Sequence, residues 1–498
     1  MVLYALSATT FARHGVGTDF HRRQAAALAE GHLDIAPVPA ALSELSNPYD
    51  AGANLEVRMN GGVQDLAYSD RRLYSAHGLT IPLLLLPSEL LTGTAPPNWV
   101  ITLVGACATI AGGTWALAQL RRRFVPTLPD WAAASTVIAF GLCGPLWAIT
   151  SIGNGYEAAI AAAAALTVIG AALLLRSTEA HSERGTVGGL SRIHAAAGSA
   201  LLAAAVGARP TAVVDVVIVL VAAGLALRGA APGRLRRLPP DQHETDQHAR
   251  GGGRRWGDLA AVVVPYAFIA VLIGASNAAR FGSITEFGFG YQLSVWNMTE
   301  YPLARPGYLV ANMVDQLLAA PQLHRSFPWL SLRPTIGGDR PTMHTSEPIV
   351  GLAFSAPVLL VGAFGAATRG REMWHRCRGL AVVALTAAVT GMLGLVATAV
   401  PFNTSSLRYL VDGAPMLILA ACATWMWARS SARGGGAPEW TASRGPGIAP
   451  VSHTGSSHTD GSHTDDFAGA MLSLRLDLAW IIAVAVGVII TAATSLPT

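Results

Sequence analysis

The chain has 498 residues, of which 52% are hydrophobic and only 13% charged, against roughly 25% charged in an ordinary soluble domain. Apolar runs of about 20 residues recur along it, each long enough to cross a bilayer's hydrocarbon as a helix, so a soluble globular fold is excluded. All 34 basic residues are arginine and the net charge is +4; topology explains where they sit, and nothing argues for a nucleic-acid partner.

The chain opens on MVLYALSATTFA, too short an apolar stretch to span, with neither the basic n-region nor the cleavage site of a signal peptide. The expectation is that a complete first span precedes this start in the native gene. Residues 14–75 form a long polar loop. In it, Gln24–Ala25–Ala26–Ala27–Leu28 runs to a Gly31 stop, which predicts an amphipathic helix on the membrane surface. Asn47–Pro48–Tyr49–Asp50 predicts a turn. The segment 80–92 is apolar but carries Pro82 and Pro87, and reads as an interfacial or re-entrant helix.

Spans are predicted near 97–120, 131–150, 156–175, 193–208, 210–227, 257–276, 346–366, 379–400, 409–428 and 476–496. Arginine clusters mark alternate connections: Arg121–Arg123, then Arg176, Arg184 and Arg192, then Arg234 to Arg255, then Arg369 to Arg378, then Arg429 and Arg433. By the positive-inside rule these face the cytoplasm. The long loops 14–96 and 277–345 then face outward. The segments 239–255 and 433–466 read as low-complexity cytoplasmic linkers. The repeated His453, His458 and His463 fit repeat slippage in a linker better than a metal site. Four scattered cysteines indicate no disulfide framework. The domain plan is therefore a membrane domain over 1–428, a linker over 429–475 and a last span over 476–496.

Ionisable groups at span ends are costly and need a reason. Asp19 and His21 follow the first apolar segment, Glu157 starts a span, Arg209 sits in a tight turn between two, and Arg280 lies just past another. Arg408 opens the span at 409, with Asp412 one turn on. Taken singly, each reads as an interfacial anchor or, for Arg408 and Asp412, as an i,i+4 pair. Taken as a set at one depth, they suit a site that binds a phosphate and positions a carboxylate. Asp215, inside a span, is either a proton-relay group or a helix–helix hydrogen-bonding group.

The stretches DFHRRQAAALAEGHLDI, NPYDAGAN and DLAYSDRRLYSAHGLTIPLLLLPSELLTG, followed in order by GYEAAIA, GARPT, NAARFGSITEFGFGYQL, AAPQLHRSFPWL, EPIVGL and SLRYLVDGAPMLILA, resemble bacterial GT-C-type membrane glycosyltransferase-like proteins. These are relatives of the polyprenyl-phosphate-dependent mannosyltransferases. The resemblance covers most of residues 14–428, and the lysine-free, Ala/Gly-rich composition points to a GC-rich, actinobacterial source. It implies an all-α integral membrane fold with about ten transmembrane helices plus a truncated amino-terminal one. It also implies a multi-pass protein with an extracytoplasmic active face. The implied catalytic carboxylate is Asp19, with Asp50, Asp65 and Asp70 as weaker candidates. Arg280 would meet the lipid phosphate, supported by Arg209 and Arg408, with His21 and Glu157 beside the substrate.

The implied partners are a polyprenyl-phosphate sugar donor, membrane lipids and a cell-envelope glycan, lipid or protein acceptor. A divalent metal ion is compatible with such a carboxylate. Two other readings stay open: a lipid or glycan transporter or flippase, in which deep groups such as Asp215 would matter more than Asp19, and an inactive membrane protein of the same fold.

Overall fold

The computed structural model describes all residues except 12–18, 36, 179–189, 229–243, 301–304, 327–328, 335–346, 402–404, 433–461 and 496–498. The chain begins with α1 (Val2–Phe11). The first long loop holds α2 (Phe20–Ala29), α3 (Ala40–Glu44), α4 (Leu55–Asn60), the hairpin β1 (Leu66–Ser69) and β2 (Arg72–Ser75), and α5 (Thr80–Thr92). The bundle continues with α6 (Asn98–Phe124), α7 (Asp130–Leu142), α8 (Leu146–Ile152), α9 (Gly155–Ser177), α10 (Arg192–Ala208), α11 (Val216–Arg228) and α12 (Glu244–Phe281). A second long loop carries α13 (Pro306–Leu318), the two-residue strands β3 (Gln322–Leu323), β4 (Leu330–Ser331), β5 (Arg333–Pro334) and β6 (Pro348–Ile349), and α14 (Leu352–Ser355). The last helices are α15 (Val358–Arg376), α16 (Arg378–Ala399), α17 (Ala414–Ser431) and α18 (Ser462–Thr494).

The protein is an all-α, multi-pass membrane protein. Among the described residues, seven helical stretches are long and apolar enough to cross a bilayer: 98–124, 130–152, 155–177, 210–227, 255–281, 378–399 and 473–494. Each coincides with a predicted span. The predicted spans 193–208 and 409–428 correspond to α10, which is short, and to α17. The span predicted at 346–366 is displaced: Pro348–Ile349 pairs as β6 with β5, α14 is a single turn, and the long helix starts at Val358. Pro348, Gly351 and Pro357 break the apolar run into pieces that cannot join one helix. Parts of the expected linkers are helical, since α12 begins at Glu244 and α18 at Ser462. Residues 433–461, including His453 and His458, lie outside the described residues.

Helices that gain nothing from water exclusion must associate by close packing, which favours small residues at their contacts. The run AAIAAAAA makes α9 the central element, packed against α6 and α10. At Gly170 and Gly198 an added Cβ would lie 2.9 and 2.7 Å from the opposite glycine's carbonyl oxygen, so α9 and α10 touch backbone to backbone. Asp215 is buried here, and the Thr167 hydroxyl of α9 donates to its carboxylate. The bond ties α9 to the 3-10 turn Pro210–Asp215 that leads into α11.

The carboxy-terminal α18 is held by specific contacts. Trp425 of α17 and Trp480 are both fully buried and stack with centroids 4.4 Å apart. Trp480 Nε1 also donates to the Ser135 hydroxyl at 3.0 Å, and Arg429 forms an ion pair with Asp477.

The two long loops are joined to each other. In the β1–β2 hairpin, Ser69 pairs with Arg72 across Asp70 and Arg71, whose φ of 49° and 58° give the doubly left-handed turn that matches strand twist. Leu293 of the second loop donates to Leu66 O at 2.8 Å and accepts from Asp65 N at 2.9 Å, extending β1 on its other edge.

Candidate active site

The predicted helix over the second half of the first loop's opening segment is α2, stopped at Gly31, whose φ of +83° no branched residue adopts readily. It packs against α5 and β2, with Phe20, His21, Gln24, Ala25 and Ala27 buried. Asp19 precedes it at the cap position but does not cap: with φ −87° and ψ 28° its backbone is outside the extended region that capping needs. Its carboxylate instead accepts from Arg22 Nη1 at 2.7 Å and Asn98 Nδ2 at 3.3 Å, and the side chain stays 46% exposed. Arg22 is fixed in turn by donating from Nε to Ala95 O at 2.9 Å. Asp19 is therefore oriented and still open to a ligand.

His21 is fully buried, its Nε2 lying 3.2 Å from Gly155 O at the start of α9. Burial pushes its pKa down to about 3, the Gly155 contact acting weakly the other way, so the ring is neutral. His77 stacks on Phe20 at 4.6 Å and lies edge-on to His21 and Tyr156, each at 5.4 Å. Burial first, then His21, Arg209 and Arg280, hold His77 neutral as well. Among the described residues, neither ring nitrogen of His77 has a hydrogen-bond partner.

Tyr156 and Glu157 open α9 and form the floor of a charged cluster. Arg408 Nη2 donates to Glu347 at 2.6 Å, and its Nη1 lies 3.9 Å from Glu157. The guanidinium also lies over the rings of Tyr156 at 5.2 Å and Tyr409 at 5.4 Å. Arg209, whose guanidinium also lies over the Tyr409 ring at 5.8 Å, makes a bidentate pair with Asp412 at 2.5 and 2.8 Å, and Thr211 donates to the same carboxylate at 3.1 Å. The i,i+4 pairing of Arg408 with Asp412 is thus not formed. Residues 407–412 are a 3-10 segment, in which i and i+4 point apart, so the two side chains serve different partners.

Asp65 enters the same cluster from the first loop. It accepts from Gln64 Nε2 at 2.8 Å, while Gln292 Nε2 donates to the Tyr156 hydroxyl at 2.7 Å. Burial pushes the Asp65 pKa above the usual carboxylate value, outweighing its hydrogen bonds to Gln64 and Tyr156 and the charges of Arg408 and Arg58. Its φ of 63° puts a non-glycine residue in the left-handed region, a conformation held by the surrounding contacts.

Arg280 is 1% exposed. It donates to the carbonyls of Ser75 at 3.1 Å and His77 at 3.0 Å, to Asn277 Oδ1 at 2.9 Å and to Ser276 O at 3.3 Å. It therefore clamps the end of β2 to α12.

Five of the expected residues are linked, since His21 meets the start of α9, Glu157 meets Arg408, Arg408 and Arg209 both contact the Tyr409 ring, and Arg280 holds His77, while Asp19 flanks α2 with Arg22 and Asn98 as its partners. Tyr156, Gln292, Glu347 and His77 were not singled out from the sequence. Gln292 and Glu347 lie in the GYQL and EPIVGL blocks, and a polar residue in otherwise apolar blocks was the available signal. Among the described residues, no group of three or more His, Cys, Asp or Glu side chains comes together.

Neither a protein-family model nor a curated sequence matches the chain. Solved structures similar to it include ArnT from Cupriavidus metallidurans bound to undecaprenyl phosphate, at 13% identity and a TM-score of 0.41, covering 99% of this chain and 73% of that one. The archaeal oligosaccharyltransferase AglB from Archaeoglobus fulgidus, in complex with an inhibitory peptide and a dolichol-phosphate, is 9% identical with a TM-score of 0.45. That match covers 99% of this chain but 55% of AglB.

Proposed function

We propose that the protein is a membrane glycosyltransferase of GT-C type, transferring a sugar from a polyprenyl-phosphate-linked donor to an acceptor on the extracytoplasmic face. The observation that carries this reading is the Arg408-centred cluster, in which carboxylates and guanidiniums from four separated stretches of chain, at Glu157, Arg209, Glu347 and Arg408–Asp412, come together. The resemblance of the ARFG…EFG…YQL and RYLVD blocks to relatives of the polyprenyl-phosphate mannosyltransferases supports it, as does an arginine-only basic set for an actinobacterial origin.

In this reading Asp19 is the general base, because it is oriented on one side and exposed on the other. The acceptor oxygen forms a bond to the anomeric carbon as the bond from that carbon to the phosphate oxygen breaks. The acceptor proton passes to Asp19, the electron pair leaves with the lipid phosphate, and the anomeric configuration inverts. Arg408, with its side chain 24% exposed, is the guanidinium with room to meet that phosphate. Arg209 and Arg280 hold the walls through their protein partners, and His21 and Glu157 fix the start of α9.

The test is transfer from a radiolabelled polyprenyl-phosphate sugar by the purified protein in liposomes. Asp19→Asn should abolish transfer with membrane insertion unchanged; full activity in that variant removes Asp19 from the mechanism. Movement of lipid without a glycosidic product would favour a flippase instead.

A further inference from the structure

In the second long loop, α13 has its polarity reversed relative to a helix on a water-facing surface. Asn312, Asp315 and Gln316 are buried, at 0 to 1% exposure, whereas Val310, Val314 and Leu318 are 72, 46 and 60% exposed. Those three apolar residues are spaced four apart and so form one stripe. The polar face is used: Asn312 Nδ2 donates to Ala399 O at 2.8 Å, Gln316 Nε2 to the Thr398 hydroxyl at 3.1 Å, and the Ser405 hydroxyl to Asn312 O at 3.1 Å. Asn312 thus satisfies a carbonyl at the carboxy end of α16, where helical backbone has no internal donor.

This contact also fixes the depth of α13. Helix α16 has 22 residues, or about 33 Å at about 1.5 Å per residue, close to the roughly 30 Å of bilayer hydrocarbon. Its other end carries Arg378 beside Arg376 and Arg371. Ala399 therefore lies at the opposite edge of the hydrocarbon, and α13 lies there with it. The neighbouring α16 also exposes apolar side chains, with Val389, Met392 and Leu393 at 37 to 40%. Beyond α13, the β3–β4 hairpin adds the exposed Leu323 and Trp329, next to Arg325, a composition suited to the headgroup boundary.

We infer that α13 is an interfacial helix whose Val310–Val314–Leu318 stripe is covered by lipid acyl chains, with the β3–β4 hairpin as its headgroup anchor. The second long loop then dips into the bilayer instead of projecting from it. Through Asn312 and Ser405 the same helix positions the segment leading into Arg408, so its depth is coupled to the charged cluster.

The test is a spin-label scan of residues 309–318 in the full chain in lipid nanodiscs, with the four native cysteines replaced by alanine. Collision with oxygen should exceed collision with a water-soluble nickel chelate at 310, 314 and 318, with minima near 312 and 316. Wild-type protein in liposomes containing a photoactivatable acyl-chain diazirine gives an independent readout, with labelling expected on Val310, Val314 and Leu318. Preferential collision with the nickel chelate along the stripe would overturn the inference by placing it in water. Protection from both probes with no lipid label would overturn it in favour of a protein partner or a second copy.

Discussion

Replacing Asp412 by alanine leaves Arg209 without its bidentate partner in a place where water cannot take over. Both side chains are 7% exposed, and removing one member of a buried pair typically costs about 3–5 kcal/mol because the other charge stays behind uncompensated. The lost Thr211 bond adds about 1 kcal/mol, while the contact of Arg209 with the Tyr409 ring at 5.8 Å persists and offsets some of the loss. Asp412→Ala and Arg209→Ala should therefore each destabilise by about 3–5 kcal/mol. Asp412→Asn, which keeps one acceptor oxygen but sets an amide N–H against the second arm of the guanidinium, should recover only part of the loss. The double variant Arg209→Met with Asp412→Leu should recover most of the loss, since no charge remains buried. Reversible unfolding in mixed detergent–SDS micelles, followed by far-ultraviolet circular dichroism, measures each step. Single variants within about 1 kcal/mol of wild type, or a double variant as weak as the sum of the singles, would refute the assignment of this pair as the buried tie between α10 and α17.

Asp65→Asn should stabilise the protein at neutral pH. Burial raises the folded-state pKa of Asp65, so its contribution is full below about pH 3.8 and is lost as pH rises through the raised value; a pH series of unfolding curves should show the variant's advantage shrinking toward acid. His77→Phe should do the reverse. The folded protein excludes the His77 imidazolium, faced as it is by His21, Arg209 and Arg280, so wild-type stability falls as pH drops below about 6.5 and the variant should lose part of that acid sensitivity. Thermal melts between pH 7 and pH 5 check it, and an unchanged acid slope would count against a buried neutral ring. Gly78→Val should cost about 1–3 kcal/mol by overpacking, because a Cβ at Gly78 runs into the backbone of Gly207, two residues before Arg209; unchanged melting would show that the first loop can move off α10.

The spans were readable because a run such as that of α9 is apolar on every side, and length and hydropathy alone place it. The stop at Gly31 and the turn at Asn47–Asp50 were readable because they depend on local backbone preferences. What was not readable depends on distant partners. Asp65 reaches the cluster because its backbone pairs with Leu293, more than two hundred residues away. Arg280 has the sequence position of a phosphate ligand, but its donors go to carbonyls of Ser75 and His77 that only the folded loop brings near. The late start of α15 was hidden because hydropathy counts Pro348, Gly351 and Pro357 as mild residues and not as breaks. In α13 the pattern of Val310, Val314 and Leu318 was visible, but which face would turn outward required knowing that Asn312 meets Ala399.

The docking of α18 has a consequence for how this chain can change over time. Among the described residues its place is set by the Trp425–Trp480 stack, the Arg429–Asp477 pair and the Ser135 bond, all between side chains that lie outside the stretch 433–461. Insertions or losses of whole Ser-His-Thr units in that stretch would leave the helix seated, so the gene can drift in length there while the bundle stays under selection.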